Sequence, residues 1–143
     1  PWTLEQKLDP TLGPAELRQG MAELETSLPM LWSLGVATKK ISLNRFVEVI
    51  STNPAKLFGM YPQKGCIAPG SDADLVVLDP TEKRVIDGSQ MHSAAGYSPY
   101  DGWEVEGWPK FTLSRGEIVA EGSSVDAALG RGKLVPRRPF ERP

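Results

Sequence analysis

Residues able to do chemistry are few in this chain. His92 is its only histidine and Cys66 its only cysteine in 143 residues. A site of several histidines, or a Cys/His zinc centre with its usual spacings, cannot be built from them. His92 lies in a Gly/Ser-rich stretch with no nucleophile elbow beside it, so a surface or interface histidine is expected rather than a triad member. Cys66 precedes Ile67 in an expected strand and has no basic neighbour closer than Lys64, which favours a buried structural thiol over a reactive one. In Pro69-Gly70-Ser71-Asp72-Ala73-Asp74, two carboxylates stand at i and i+2. From a loop they could touch a metal, or make Asx-type turns that launch the next strand; the turn is the simpler account. Glu23, Glu25 and Glu48 have the chemistry of a general acid or base, but no partner spacing singles them out, so surface charge is expected. Glycine-rich phosphate loops and Gly-x-Ser-x-Gly are absent.

Composition narrows the class. The chain carries 16 basic and 18 acidic side chains, a net charge of −2, with 40% hydrophobic and 24% charged residues, as in an ordinary globular protein. No apolar run approaches the ~18 residues of a membrane-spanning helix, and no signal-peptide pattern is present. One cysteine rules out an internal disulfide framework and fits a reducing compartment, so a cytoplasmic location is expected. Arg131, Lys133, Arg137, Arg138 and Arg142 against Glu141 make the C-terminal stretch basic. Without aromatic interleaving or a basic face, a solvated tail or an arm on a neighbouring subunit is expected there, not a nucleic-acid contact. The first residue is Pro1, not Met, so a piece of a longer protein is expected.

The elements that must position these residues fall into two kinds. Residues 1–20 are broken by Pro1, Pro10, Gly13, Pro14 and Gly20, with room for a helical turn at Ala15–Arg18. A helix follows, capped by Thr26 or Ser27, with Pro29 in its first turn, where a missing N–H costs nothing. Ser42 caps a second helix whose Leu43, Phe46, Val47 and Ile50 recur at i, i+3, i+4 and i+7. Asn53-Pro54 restarts a short helix that Gly59 ends. After Tyr61 the pattern turns to β. Leu75–Leu78 reads as a strand closed by Asp79-Pro80, which Lys83–Ile86 could pair with. Lys110–Ser114 and Glu117–Ala120 read as a hairpin about Arg115-Gly116. The segment from 87 to 109, with Tyr97, Tyr100, Trp103 and Trp108, reads as a functional or interface loop. The fold class is therefore α+β: helices, then antiparallel strands, without alternation.

Several stretches, in order, resemble the C-terminal part of the cyclic amidohydrolases, which include D-hydantoinase, dihydropyrimidinase, allantoinase and dihydroorotase. They are Ser42-Leu43-Asn44-Arg45-Phe46-Val47-Glu48, Ser51-Thr52-Asn53-Pro54-Ala55-Lys56-Leu57-Phe58-Gly59 and Gly70-Ser71-Asp72-Ala73-Asp74-Leu75-Val76. Tyr97-Ser98-Pro99-Tyr100-Asp101-Gly102, Val105-Glu106-Gly107-Trp108-Pro109, Leu113-Ser114-Arg115-Gly116-Glu117 and Gly130-Arg131-Gly132-Lys133 are similar to the hydantoinase and dihydropyrimidinase branch. Pro1-Trp2-Thr3-Leu4-Glu5-Gln6-Lys7 looks like the segment just after the last barrel strand's Asp-His motif.

The resemblance implies that residues 1–59 end a (β/α)8 barrel, 60–122 supply strands of a composite β-sandwich, and 123–143 form a basic tail. It implies hydrolysis of a cyclic amide or ureide in the parent protein, by a hydroxide bridging two divalent metals, commonly zinc, at the C-terminal mouth of a barrel. No ligand of that pair matches a position here, so no catalytic or metal residue is assigned to this chain, and the fragment alone is expected to be inactive. Arg18-Gln19-Gly20-Met21-Ala22-Glu23-Leu24-Glu25 aligns with the branch's Pro-Asn-Gly-x-x-Gly-x-Glu loop, agreeing at Gly20 and Glu25. It implies a backbone contact from Gln19 and Gly20 to the substrate ring. A homo-oligomer, with an interface near Tyr97, Tyr100, Trp103 and Trp108, is also expected, with no nucleic-acid or membrane partner. Helix faces at Leu43, Phe46 and Val47 are expected to be exposed without the rest of the barrel. The alternative is a non-catalytic dihydropyrimidinase-like scaffold or oligomerisation protein on the same fold.

Overall fold

Ser42 starts the best-formed helix: its hydroxyl accepts the Arg45 N–H at 3.2 Å, satisfying a donor that the first turn leaves without a partner. The computed structural model, which describes residues 2–16 and 18–137, carries this helix as α3 (Leu43–Val47), a π-helical turn (Glu48–Thr52) and α4 (Asn53–Leu57). Asn53 does not cap a fresh start; the chain runs on from α3 to α4 through the wide turn. The reason is Pro54, which has no N–H and crowds the carbonyl four residues back, so a helix survives it only by loosening just before it. Ahead of these lie α1 (Leu4–Lys7), a 3-10 turn (Pro14–Glu16) and α2 (Ser27–Leu31), which opens into a π turn over Trp32–Ala37.

Four strands follow as an antiparallel meander in the order β1-β2-β3-β4: Leu75–Val85, Glu104–Ser114, Glu117–Glu121 and Ser124–Val125. The β2–β3 hairpin is as expected, and both turn residues take positive φ, Arg115 at 52° and Gly116 at 83°. That is the backbone a two-residue turn needs to match the strand twist. The other expectations need correction. Lys83–Val85 does not pair with Leu75–Leu78; both belong to β1 and pair in turn with β2. Residues 104–109 are strand, not loop. Ile67 is not in a strand and is largely exposed.

Helices and sheet meet along one seam. Met30, Ile86, Val105 and Trp108 form the buried centre, with Met91 and Tyr100 against it. Trp32 lies on the backbone of Gly107 and meets Phe46 edge to face, ring centres 5.4 Å apart. The Glu106 N–H donates to the Ser33 hydroxyl at 3.1 Å across the same seam. Phe46 is thereby buried, contrary to expectation, while Leu43 and Val47 stay exposed. Trp108 is likewise core, under the Arg84 guanidinium at 4.6 Å, and so is removed from any interface. Of the basic stretch, Arg131 donates to the Ser114 carbonyl and the Glu117 carboxylate, both at 2.9 Å, and Arg137 to the Phe58 carbonyl at 3.3 Å. This arm packs on its own chain; Arg138 and Arg142 lie outside the described residues.

Candidate functional site

The loop from Arg18 to Thr26 is held from both sides. On one side stands α1, opened by Thr3 and Gln6 in a reciprocal cap: the Thr3 hydroxyl accepts the Gln6 N–H and the Gln6 side chain accepts the Thr3 N–H. That helix projects Lys7, whose ammonium donates to the Arg18 carbonyl at 2.7 Å and to the Gly20 carbonyl. The Arg18 guanidinium in turn stacks on Trp2, 4.5 Å from the ring centre. On the other side the excursion between β1 and β2 reaches over. His92 meets Glu25 twice, through its backbone N–H at 2.8 Å and its Nδ1 at 2.9 Å.

Between these supports is a cleft of about 280 Å³ lined by Gln19, Gly20, Met21 and Ala22, with Trp2 and Lys7 at one edge and Ala95 and Tyr97 opposite. The structure thus brings both expected contact residues, Gln19 and Gly20, to one cleft. Gly20 has φ +90°, the conformation only glycine adopts freely. Glu23 is not in that region, so a side chain there imposes no strain; its carbonyl accepts from Ser27 at 2.9 Å and starts α2.

The excursion is shaped for close contact. Its base is closed by Asp101, which accepts from the Gly88 N–H at 2.5 Å and the Ser98 N–H at 3.3 Å. Gly88 is buried so tightly that an added Cβ would sit 2.2 Å from the Ser98 nitrogen. Tyr100 and Trp103 stack edge to face at 5.6 Å, and Trp103 stays half exposed.

The profile of the amidohydrolase family matches residues 14–119. The chain belongs to the amidohydrolase family. It is 49% identical to the L-hydantoinase of Paenarthrobacter aurescens over 122 residues, which is 85% of this chain and 27% of the relative. It is 44% identical to the D-phenylhydantoinase of Escherichia coli O1:K1 / APEC over 124 residues, 87% of this chain and 27% of the relative. Among solved structures, the D-hydantoinase (dihydropyrimidinase) from Thermus sp. superposes with a TM-score of 0.91 at 36% identity, covering 98% of this chain and 31% of that one. This amidohydrolase chain therefore spans about a quarter of the length of the curated relatives it matches. Its helices followed by an antiparallel sheet correspond to part of the hydantoinases' barrel and β-sandwich.

The remaining candidates have structural tasks in this amidohydrolase chain. Asp72 and Asp74 both clasp the Lys64 ammonium, Asp72 at 2.7 Å. Asp72 also accepts from the Gln63 amide at 3.1 Å, and Asp74 from the Arg115 N–H at 2.8 Å, which ties the chain before β1 to the β2–β3 turn. Hydrogen bonds from Lys64 and then Gln63 hold the Asp72 carboxyl below its usual range. Burial pushes Asp74 up, but Lys64 and the Arg115 N–H outweigh it and the net shift is down. Lys64 is shifted up, its two carboxylates outweighing burial. Both carboxyls are depressed in the fold, so their contribution is complete above the unfolded carboxylate range and is lost as pH falls through the lower folded values. Acid unfolding is expected to steepen below about pH 4, and Lys64→Met to flatten that limb; an unaltered acid limb in the variant's denaturation curves would count against the clasp.

Cys66 is half-buried, its thiol 3.3 Å from the Ser71 hydroxyl and 3.4 Å from the Pro62 carbonyl. Glu48 pairs with Arg45 at 3.0 Å on an exposed helix face. Among the described residues no group of three His, Cys, Asp or Glu side chains is placed to hold a metal ion. Reading residue types and spacing had missed Lys7 and the His92–Glu25 pair, since contacts 13 and 67 residues apart leave no local pattern.

Proposed function

We propose that the protein carrying this chain is a metal-dependent cyclic amidohydrolase that opens hydantoin- or dihydropyrimidine-type rings, and that this chain supplies the backbone contact of Gln19 and Gly20 to the substrate. The observation that carries the reading is the family match, together with the Gly20 loop lining a cleft. In this proposal residues 1–59 complete a barrel, 60–122 belong to the sandwich and 123–143 form the tail. The residues present do not fit the divalent metal pair, which we take to be zinc. The chain has one histidine, and that one is engaged by Glu25. The ligands are accordingly assigned to the parent protein outside this chain, which we place in the cytoplasm as a homo-oligomer. The excursion around half-exposed Trp103, with the partly buried Tyr97 and Tyr100 beside it, is the proposed contact between subunits.

The test is metal content by mass spectrometry on the full-length protein, with dihydrouracil and hydantoin hydrolysis assayed on the same sample. About two metals per chain with turnover are expected. Neither metal nor turnover after zinc and bicarbonate are supplied would overturn the reading in favour of a non-catalytic scaffold. The 143-residue chain alone is expected to hydrolyse neither compound.

A further inference from the structure

We infer that Lys7 is a positioning residue for substrate recognition: by fixing the two peptide planes on either side of the Gln19–Gly20 peptide, it presents this loop's backbone to a cyclic amide. The inference rests on the proposed function and goes beyond it in naming what sets the loop's geometry.

One ammonium donates to two carbonyls two residues apart, Arg18 and Gly20, around a glycine at φ +90°. In a trans peptide the C=O and the following N–H point in opposite directions. Holding the Arg18 carbonyl on Lys7 therefore turns the Gln19 N–H away from the ammonium. Holding the Gly20 carbonyl does the same to the Met21 N–H. The Gln19 carbonyl lies between the two pinned planes. Among the described residues none of these three groups has a hydrogen-bond partner. The loop thus offers two donors and an acceptor, on Gln19 and Met21, at the edge of a cleft. A cyclic amide or ureide carries the complement, ring C=O beside ring N–H, on one edge. Side-chain identity at residue 19 matters little to such a contact, whereas orientation of the peptide planes decides it. That orientation comes from α1: its reciprocal cap holds the helix, and Lys7 is its last residue. His92 on Glu25 secures the far end of the same loop.

The inference is tested with Lys7→Met and Lys7→Arg in the full-length, metal-loaded protein. Lys7→Met keeps the stem and removes the donors; Lys7→Arg keeps a cation with several donors. A backbone contact made alike in ground and transition states shows in KM rather than kcat. Lys7→Met is expected to raise KM for hydantoin and dihydrouracil about five- to tenfold, with kcat within about twofold. Trypsin is expected to cut Arg18–Gln19 faster in this variant, since the Arg18 carbonyl is released. Lys7→Arg is expected to restore both readouts. An active wild type with KM unaltered in Lys7→Met, or with the whole loss in kcat, overturns the inference while leaving the proposed function standing. A wild type without turnover defeats the proposed function first, which separates the two failures.

Discussion

Gly107→Ala is expected to destabilise the protein by about 3 kcal/mol or more, measured by chemical denaturation. Two costs combine at this one position. Gly107 has φ +90°, where a Cβ costs roughly 1–2 kcal/mol. The Cβ would also lie 2.0 Å from the Trp32 ring carbon Cδ1, inside any tolerable contact. Trp32 has little room to yield, because Phe46 meets its ring edge to face on the helix side. Overpacking of this kind adds roughly 1–3 kcal/mol. The clash has a signature of its own: on a Trp32→Ala background the same substitution is expected to cost less, since only the backbone penalty persists. Equal costs on both backgrounds would show that the ring does not rest on Gly107.

The next largest effect is expected at Gly88. An alanine there would place its Cβ 2.2 Å from the Ser98 nitrogen and 2.4 Å from the Tyr97 carbonyl carbon, both backbone atoms that cannot rotate aside. We expect Gly88→Ala to cost about 2–4 kcal/mol. It should also raise KM for the proposed substrates in the full-length protein, because the displaced segment carries Ala95 and Tyr97, the far wall of the cleft. Gly96→Ala is the control: φ is +71° but nothing lies within 4 Å of the new Cβ. It should cost roughly 1–2 kcal/mol, the backbone penalty alone. Similar losses for the two variants would mean that backbone conformation, not the close approach of residues 97 and 98, governs this excursion.

What could be read from residue order was whatever obeys a short period or a local rule. Leu43, Phe46, Val47 and Ile50 announce α3 by spacing, and Arg115-Gly116 announces the hairpin by turn chemistry. The failures share a cause. Asp79-Pro80 looks like the end of a strand, yet β1 passes through it. Register shifts at Val77/Leu78 and between Asp79 and Lys83 carry Pro80 past the ladder, and Asp79 accepts from Thr81 at 2.9 Å to close the kink. There the missing N–H costs no ladder bond. Phe46 belongs to an exposed-looking stripe by period, but Trp32 arrives from another helix to cover it. For the site, Gly20 was named only through the resemblance of its loop, and the structure puts it beside a cleft. Lys7 and His92 were not, because each acts on a loop that only the tertiary fold brings near.

The seam at Trp32 and Gly107 also bears on how such chains can be recombined. The covalent link between α4 and β1 looks like a natural cut-point, but the indole and the bare backbone that receives it stand on opposite sides of it. A graft that takes the sheet from one relative and the helices from another inherits half of a lock. It will be tolerated when donor and recipient agree at both positions, and rejected when a side chain replaces the glycine beneath a retained tryptophan.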